Sequence, residues 1–193
     1  FSESEWAGFF GKYLANDMEG IEEKTRRIQE DAVEVLGRDD GSAKNIYLID
    51  KKNIHNNCLQ VINQFTPEGG RYENRYDVTI LVNGLPLVHC ELKRRGVALK
   101  EAFNQIKRYN RDSFWAGAGL FEFIQIFIIS NGTDTKYFSN TTRDAGIKER
   151  EGKKGSGKKT SNSYEFTCFW ADANNKIICD LEDFARTFLA KHT

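Results

Sequence analysis

Along the first 36 residues apolar positions return at three- and four-residue steps, at Trp6, Phe9, Phe10, Tyr13 and Leu14, which is the period of a helix. Ser2 followed by Glu3 and Glu5 reads as a helix start. Gly11 and Gly20 weaken the pattern, so it predicts two helices broken near Gly20. The second, GIEEKTRRIQEDAVEVLG, is expected to stop at Gly37 on a glycine C-cap. Shorter runs then follow: NIYLID (45–50) and CLQVINQF (58–65) read as strands, with PEGG (67–70) a turn. DVTILVNGLPLVHCELK (77–93) holds two apolar segments around Asn83-Gly84, a strong hairpin dipeptide. RRGVALKEAFNQIKRYNRD (94–112) is amphipathic at helical period, with Leu99, Ala102, Phe103 and Ile106 on its apolar side. EFIQIFIIS (122–130) is a continuous apolar run suited to a strand buried on both faces, and TKYFSN (135–140) is placed to pair with it across Asn131-Gly132. YEFTCFWA (164–171) reads as a strand and DLEDFARTFL (180–189) as a closing helix capped by Asp180. Helices, strands, helix, strands and helix in that order predict an α/β fold, a central sheet flanked by helices.

A length of 193 residues fits one domain. The expected division is a helical part at 1–44, a core at 45–140, a flexible basic loop at 143–163, and a closing strand and helix at 164–193. With 28 basic and 28 acidic residues the charges cancel, so any nucleic-acid binding must come from a local patch. Cys58, Cys90, Cys168 and Cys179 lack zinc spacing and read as reduced, mostly core thiols. Trp6, Trp115 and Trp170 read as packing residues. No run of 18 apolar residues and no signal peptide occurs, so a cytoplasmic protein without a membrane span is expected. The chain opens on Phe1 without a methionine and reads as a fragment.

Residues 143–163 are rich in Gly, Ser and Lys, which suits a solvated insertion or a basic flap touching phosphates. Within them GKKGSGKKT (152–160) imitates a P-loop, but Lys159 stands where a hydroxyl must hold magnesium. No apolar strand leads in and no amphipathic helix leads out, so nucleotide binding is not expected there.

The hairpin ends in charges, and their placement decides what they can do. Glu91 and Lys93 are two apart on a strand and share a face. A plain two-residue Asn83-Gly84 turn sets Asp77 opposite Cys90, on the wrong face. A three-residue turn, with Gly84 left-handed in a one-residue bulge, sets Asp77 against His89 and on the face of Glu91 and Lys93. That second arrangement is the expectation, because it also gathers Val78, Ile80, Val82, Val88, Cys90 and Leu92 on one apolar face. Such charges at strand ends are often no more than a surface ion pair. Here they follow a strongly apolar strand, and Gln105 and Tyr109, one turn apart on the next helix, can line a cleft beside them. Two carboxylates can hold Mg²⁺, and an ammonium two residues along can orient a water and offset charge on a phosphorane. His89 points to the same face, but a lone strand histidine reads first as structural.

Asp77, thirteen residues, then Glu91-Leu92-Lys93 resembles the PD-(D/E)xK nuclease signature, with Tyr76 in place of the proline. Gln105 and Tyr109 resemble the Q-x-x-x-Y motif of one branch of that superfamily. The wider text, VINQFTPEGGRYENRYDVTILVNGLPLVHCELKR, EAFNQIKRY, FIQIFIISNGTDTKYFSN, FTCFWADAN and DLEDFARTFL, resembles the N-terminal nuclease region of the restriction (motor) subunit of type I restriction-modification enzymes, over about residues 45–190. The resemblance implies a restriction-endonuclease-like core and Mg²⁺-dependent cleavage of double-stranded DNA. In it Asp77 and Glu91 hold the metal, Lys93 orients the water, and Gln105 and Tyr109 support the site or contact the DNA backbone. It further implies partners: methyltransferase and specificity subunits, and downstream motor domains that use ATP and whose motifs are absent from these residues. Glu30 and Glu34 are candidates for an additional helix-borne acid only through their place on the preceding helix. A non-catalytic module docking DNA or the motor, or another nuclease of the superfamily, stays open.

Overall fold

A computed structural model describes residues 1–140 and 162–190. The P-loop imitation at 152–160 lies outside them, as does the basic loop except for its last two residues, which open a helical turn at Asn162–Glu165.

Five strands form the central sheet in the order β3-β4-β5-β6-β7: Leu59–Phe65, Tyr76–Val82, Leu85–Leu92, Ile126–Ser130 and Thr135–Ser139. All neighbours are antiparallel except β5 and β6, which run parallel. A parallel pair needs a crossover, and helix α3 (Leu99–Asp112) supplies it. The sheet is therefore mixed and flanked by helices, as a restriction-endonuclease-like core requires.

Each face buries a different cluster. On one, Leu99, Ala102, Phe103, Ile106 and Tyr109 of α3 pack with Tyr76, Phe114, Phe127, Ile129 and Phe138. On the other, Cys90 and Ile128 meet Phe184 of the closing helix α4 (Leu181–Phe188), beside the short hairpin of β8 (Trp170–Ala171) and β9 (Ile177–Ile178). Asp180 caps α4 by accepting from the backbone N–H groups of Glu182 and Asp183.

The N-terminal third departs from expectation. Helix α1 (Glu3–Phe9) opens on a Ser2 capping box and runs into a π-helical turn at Phe10–Leu14. Helix α2 (Ile21–Gln29) ends eight residues before Gly37, and Val33–Gly37 is a strand, β1, paired antiparallel with β2 (Ala43–Tyr47). Val33 and Val35 are β-branched and alternate with Glu34 and Leu36, and this local period of two decides against a longer helix. Gly37 ends a strand and caps no helix. YEFTCFWA likewise gives a helical turn and a two-residue strand in place of one long strand. Of the cysteines, all unpaired, Cys90 alone is buried, while Cys58 and Cys168 are exposed. Trp6 and Trp115 are about half exposed, at 46% and 50%; Trp6 still stacks on Phe9, and Trp170 packs on Tyr137 and Phe188, so the packing role expected of all three tryptophans suits these two.

Lys24 joins α2 to the turn at Gly117–Phe123. Fully buried, it donates to Gly119 O at 2.8 Å, stands 3.5 Å from Glu122, and lies over the Phe123 ring. Gly119 has φ +65°, and a Cβ there would sit 2.7 Å from Lys24 Nζ. Gly119→Ala is expected to cost about 1–3 kcal/mol, combining left-handed strain with displacement of a buried ammonium. Thermal melting checks it, with a fall of roughly 2–4 °C per kcal/mol for a chain of this size.

Candidate active site

The hairpin reaches the expected parity by another route. Asn83 and Gly84 have φ of +52° and +84°, and Val82 pairs with Leu85, so the turn has two residues. The bulge lies one step further on, where Leu81 pairs with Pro86 but Ile80 pairs with Val88. Leu87 is the extra residue, and its carbonyl turns aside to accept from Gln125 N at 2.8 Å. Beyond it Thr79 pairs with His89 and Val78 with Cys90. The pairing ends there; the same register carried one step further aligns Asp77 with Glu91, and not with His89 as a three-residue turn would have it. Asn83 also anchors the turn, donating from its side chain to Leu48 O and accepting from Cys58 N.

At this end of the sheet Glu91, Lys93, Gln105 and Tyr109 form one hydrogen-bonded chain, and Asp77 stands beside it. Lys93 Nζ donates to Glu91 Oε1 at 2.7 Å and to Gln105 Oε1 at 2.6 Å. Gln105 Nε2 donates to Tyr109 Oη, which donates to Arg75 O at 2.8 Å. Asp77 Oδ2 accepts from Leu92 N at 2.8 Å. All five residues singled out from sequence thus meet in one place. β4 carries Asp77, β5 carries Glu91 with Lys93 just past its end, and α3 carries Gln105 and Tyr109. The Lys93 backbone is itself fixed, its N–H donating to Ser130 O at 2.8 Å.

Burial gives the set its electrostatic character. Glu91 is wholly buried on a central strand, whereas the Lys93 side chain keeps 19% exposure. Burial raises the Asp77 carboxyl above its ordinary value, and the Glu91 carboxylate raises it further; the Leu92 N–H and Lys93 oppose both. Burial, with the two carboxylates nearby, pushes the Tyr109 hydroxyl up to about 12 against the lowering effect of Gln105. It therefore stays protonated and donates. That fixes the Gln105 amide, whose nitrogen faces Tyr109 and whose oxygen faces Lys93.

Tyr109→Phe tests this chain. It leaves Arg75 O and Gln105 Nε2 without their partner, so a loss of about 1–2 kcal/mol in denaturant unfolding is expected.

His89 is fully buried, which keeps it from DNA as the chain stands. Its ring sits edge-on to Tyr76, Tyr109, Phe114 and Phe127. Its Nδ1 is 3.2 Å from Thr79 Oγ1, and its Nε2 is 3.6 Å from Glu91 Oε2. Glu30 and Glu34 supply no helix-borne acid: Glu30 is the exposed cap of α2, and Glu34 is on β1, held by Arg27 at 2.7 Å. Two participants escaped the sequence reading. Thr79 shares the strand parity of Asp77, a usable signal. Tyr76, in the place of the signature's proline, is fully buried and donates to Ser113 Oγ at 2.7 Å, which the sequence does not announce.

Among the described residues no group of three or more His, Cys, Asp or Glu is arranged to hold a metal. The two carboxylates of Asp77 and Glu91 nonetheless suit Mg²⁺, which takes oxygen ligands and keeps several waters. Glu91 Oε2 is buried without a hydrogen-bond partner, 3.6 Å from the equally unpartnered His89 Nε2, and has lone pairs left for a further ligand. No helix of the described residues is long and apolar enough to cross a membrane.

A family model described as the type I restriction enzyme R protein N terminus matches residues 2–146. The chain is 50% identical over all its 193 residues to the "Type I restriction enzyme EcoprrI endonuclease subunit" of Escherichia coli, covering 56% of that protein. It is 44% identical over 154 residues, 80% of this chain, to the SauMSSORF170P endonuclease subunit of Staphylococcus aureus (strain MSSA476), of which it covers 14%. A third relative, the putative MjaIXP endonuclease subunit of Methanocaldococcus jannaschii, is 35% identical over 103 residues. The chain therefore spans little more than half of the first relative's length and a small part of the second's. By the match of its family model over three quarters of its residues, this chain belongs to the family of the type I restriction enzyme R protein N terminus.

Proposed function

We propose that the chain is the nuclease portion of a type I restriction subunit and cleaves double-stranded DNA with Mg²⁺. The observation that carries the proposal is the Lys93 ammonium held between Glu91 Oε1 and Gln105 Oε1 at the sheet end where Asp77 Oδ2 accepts from Leu92 N. Asp77 and Glu91 would hold the metal, which when bound polarises the phosphodiester and makes a nearby water more acidic. Two of the three Lys93 N–H bonds are spent on Glu91 and Gln105, which leaves one for the attacking water or a phosphate oxygen. That ammonium offsets the charge gathering on the phosphorane, and the pair of acceptors holds it in place before the reaction begins. Gln105 and Tyr109 position Lys93 and do not touch the scissile group.

In this reading ATP-driven translocation belongs to motor domains outside these residues, and methyltransferase and specificity subunits complete the complex. The similarity to type I restriction enzyme endonuclease subunits supports this assignment. The test is cleavage of plasmid DNA by the assembled restriction complex, with and without Mg²⁺. Asp77→Ala and Lys93→Ala should each cut nicking by about 10²-fold or more. Unchanged cleavage in both would sink the assignment and favour a docking module that keeps the charges as ion pairs.

A further inference from the structure

Two buried polar atoms at the site face one another and have no hydrogen-bond partner, His89 Nε2 and Glu91 Oε2. Both side chains have no solvent exposure, and the atoms are 3.6 Å apart, somewhat too long for a hydrogen bond. An orphaned buried donor or acceptor costs about 1–3 kcal/mol, so two pointing at each other need a chemical reason.

Thr79 supplies one. Its hydroxyl is buried and lies across the strand pair from His89, 3.2 Å from Nδ1. A hydroxyl needs an acceptor for its proton, and Nδ1 is the acceptor within reach. If Thr79 donates to Nδ1, the neutral imidazole carries its hydrogen on Nε2, aimed at the carboxylate. With the opposite tautomer two lone pairs would confront each other at 3.6 Å and the threonine proton would lack a partner. The ring is also held edge-on among Tyr76, Tyr109, Phe114 and Phe127, so the direction of Nε2 is set by packing.

We infer that His89 is a positioning residue for Glu91: oriented by Thr79, it donates from Nε2 to Glu91 Oε2, while Lys93 donates to Oε1. The inference rests on the nuclease reading of Glu91 and extends it to residues outside the nuclease signature. Hydrogen bonds at active sites are often long without substrate and tighten in the working complex, so a small carboxylate rotation closes the gap. Each carboxylate oxygen has two lone pairs, so Glu91 stays able to bind a cation while its plane is fixed at both ends. His89 touches no reacting group; its work is to hold the carboxylate still.

The readout independent of cleavage is ¹⁵N NMR of the imidazole in the intact protein without added metal. The expected pattern is hydrogen on Nε2, with the Nε2–H resonance moving in Glu91→Gln and the tautomer preference weakening in Thr79→Val. In the assembled restriction complex, His89→Phe keeps the packing but removes the donor, and should weaken apparent Mg²⁺ affinity or kcat by about 10–100-fold. His89→Gln restores a donor and should recover most of that loss. Hydrogen on Nδ1, or equal behaviour of the Phe and Gln variants, would overturn the inference. A wild-type complex that fails to cleave with any divalent cation would sink the nuclease reading while leaving the tautomer measurement legible.

Discussion

Lys93→Ala should unfold about 3 kcal/mol more easily than the wild type, as well as lose DNA cleavage by about 10²–10³-fold. The stability loss follows from Glu91, which is wholly buried and pairs with the Lys93 ammonium at 2.7 Å. Without the ammonium a carboxylate remains in a low-dielectric interior with only the neighbouring His89 Nε2, 3.6 Å away, to face it. The partial exposure of Lys93 keeps the figure at the low end of the range for broken buried pairs. For a chain of this size the melting temperature should fall by roughly 6–12 °C. The double variant Lys93→Ala with Glu91→Gln removes both charges and should regain part of that loss, with a coupling of about 0.5–3 kcal/mol. Cleavage should not return. A double variant no more stable than the single one would mean that Glu91 is not charged in the folded protein, and the electrostatic account would be wrong.

Asp77→Asn should do the opposite to stability. The amide oxygen can still accept from Leu92 N, so the strand contact survives. What disappears is a charge that the fold disfavours, through burial first and the Glu91 carboxylate second. A carboxyl raised above its ordinary value of 3.8 binds its proton more tightly folded than unfolded. Its contribution to stability is fully present below that value and is lost as pH rises through the folded value, so near neutrality ionised Asp77 is a cost. Asp77→Asn should thus melt higher than the wild type, by a margin that opens as pH is raised from about 4 to 7. Cleavage should still drop by about 10²-fold or more. Melting curves across that pH range decide it: a variant less stable at every pH would show that the lost charge had been favourable. The two variants therefore separate by stability, though both are expected to be inactive.

Periodic patterns made much of this molecule legible. α3 was readable because it buries one repeating set of positions, Leu99, Ala102, Phe103 and Ile106, and β6 because it is a continuous apolar run buried almost throughout. The stretch after α2 was not, because Val33 and Val35 can serve either a helix face or a strand, and the pairing with β2 that decides between them is a tertiary event. The meeting of Asp77, Glu91, Lys93, Gln105 and Tyr109 was anticipated from strand parity, helical spacing and family resemblance together. The device that sets the parity was misplaced. Local sequence favours a bulge at glycine, whereas the extra residue is Leu87, whose carbonyl is drawn off by the Gln125 N–H from another part of the chain. No local signal could report that partner, nor the burial that turns His89 and Thr79 toward Glu91.

The Leu87 bulge also changes what the spacing between the acid and the Glu-x-Lys pair can mean. Since Ile80 already pairs with Val88, deleting Leu87 would join the ladder into a regular hairpin with Val78 still opposite Cys90 and Asp77 still on the face of Glu91. Thirteen intervening residues with a bulge and twelve without one are geometrically equivalent ways to bring the same groups together. A motif search that insists on one fixed interval would overlook a hairpin one residue shorter that brings the same groups together at its end.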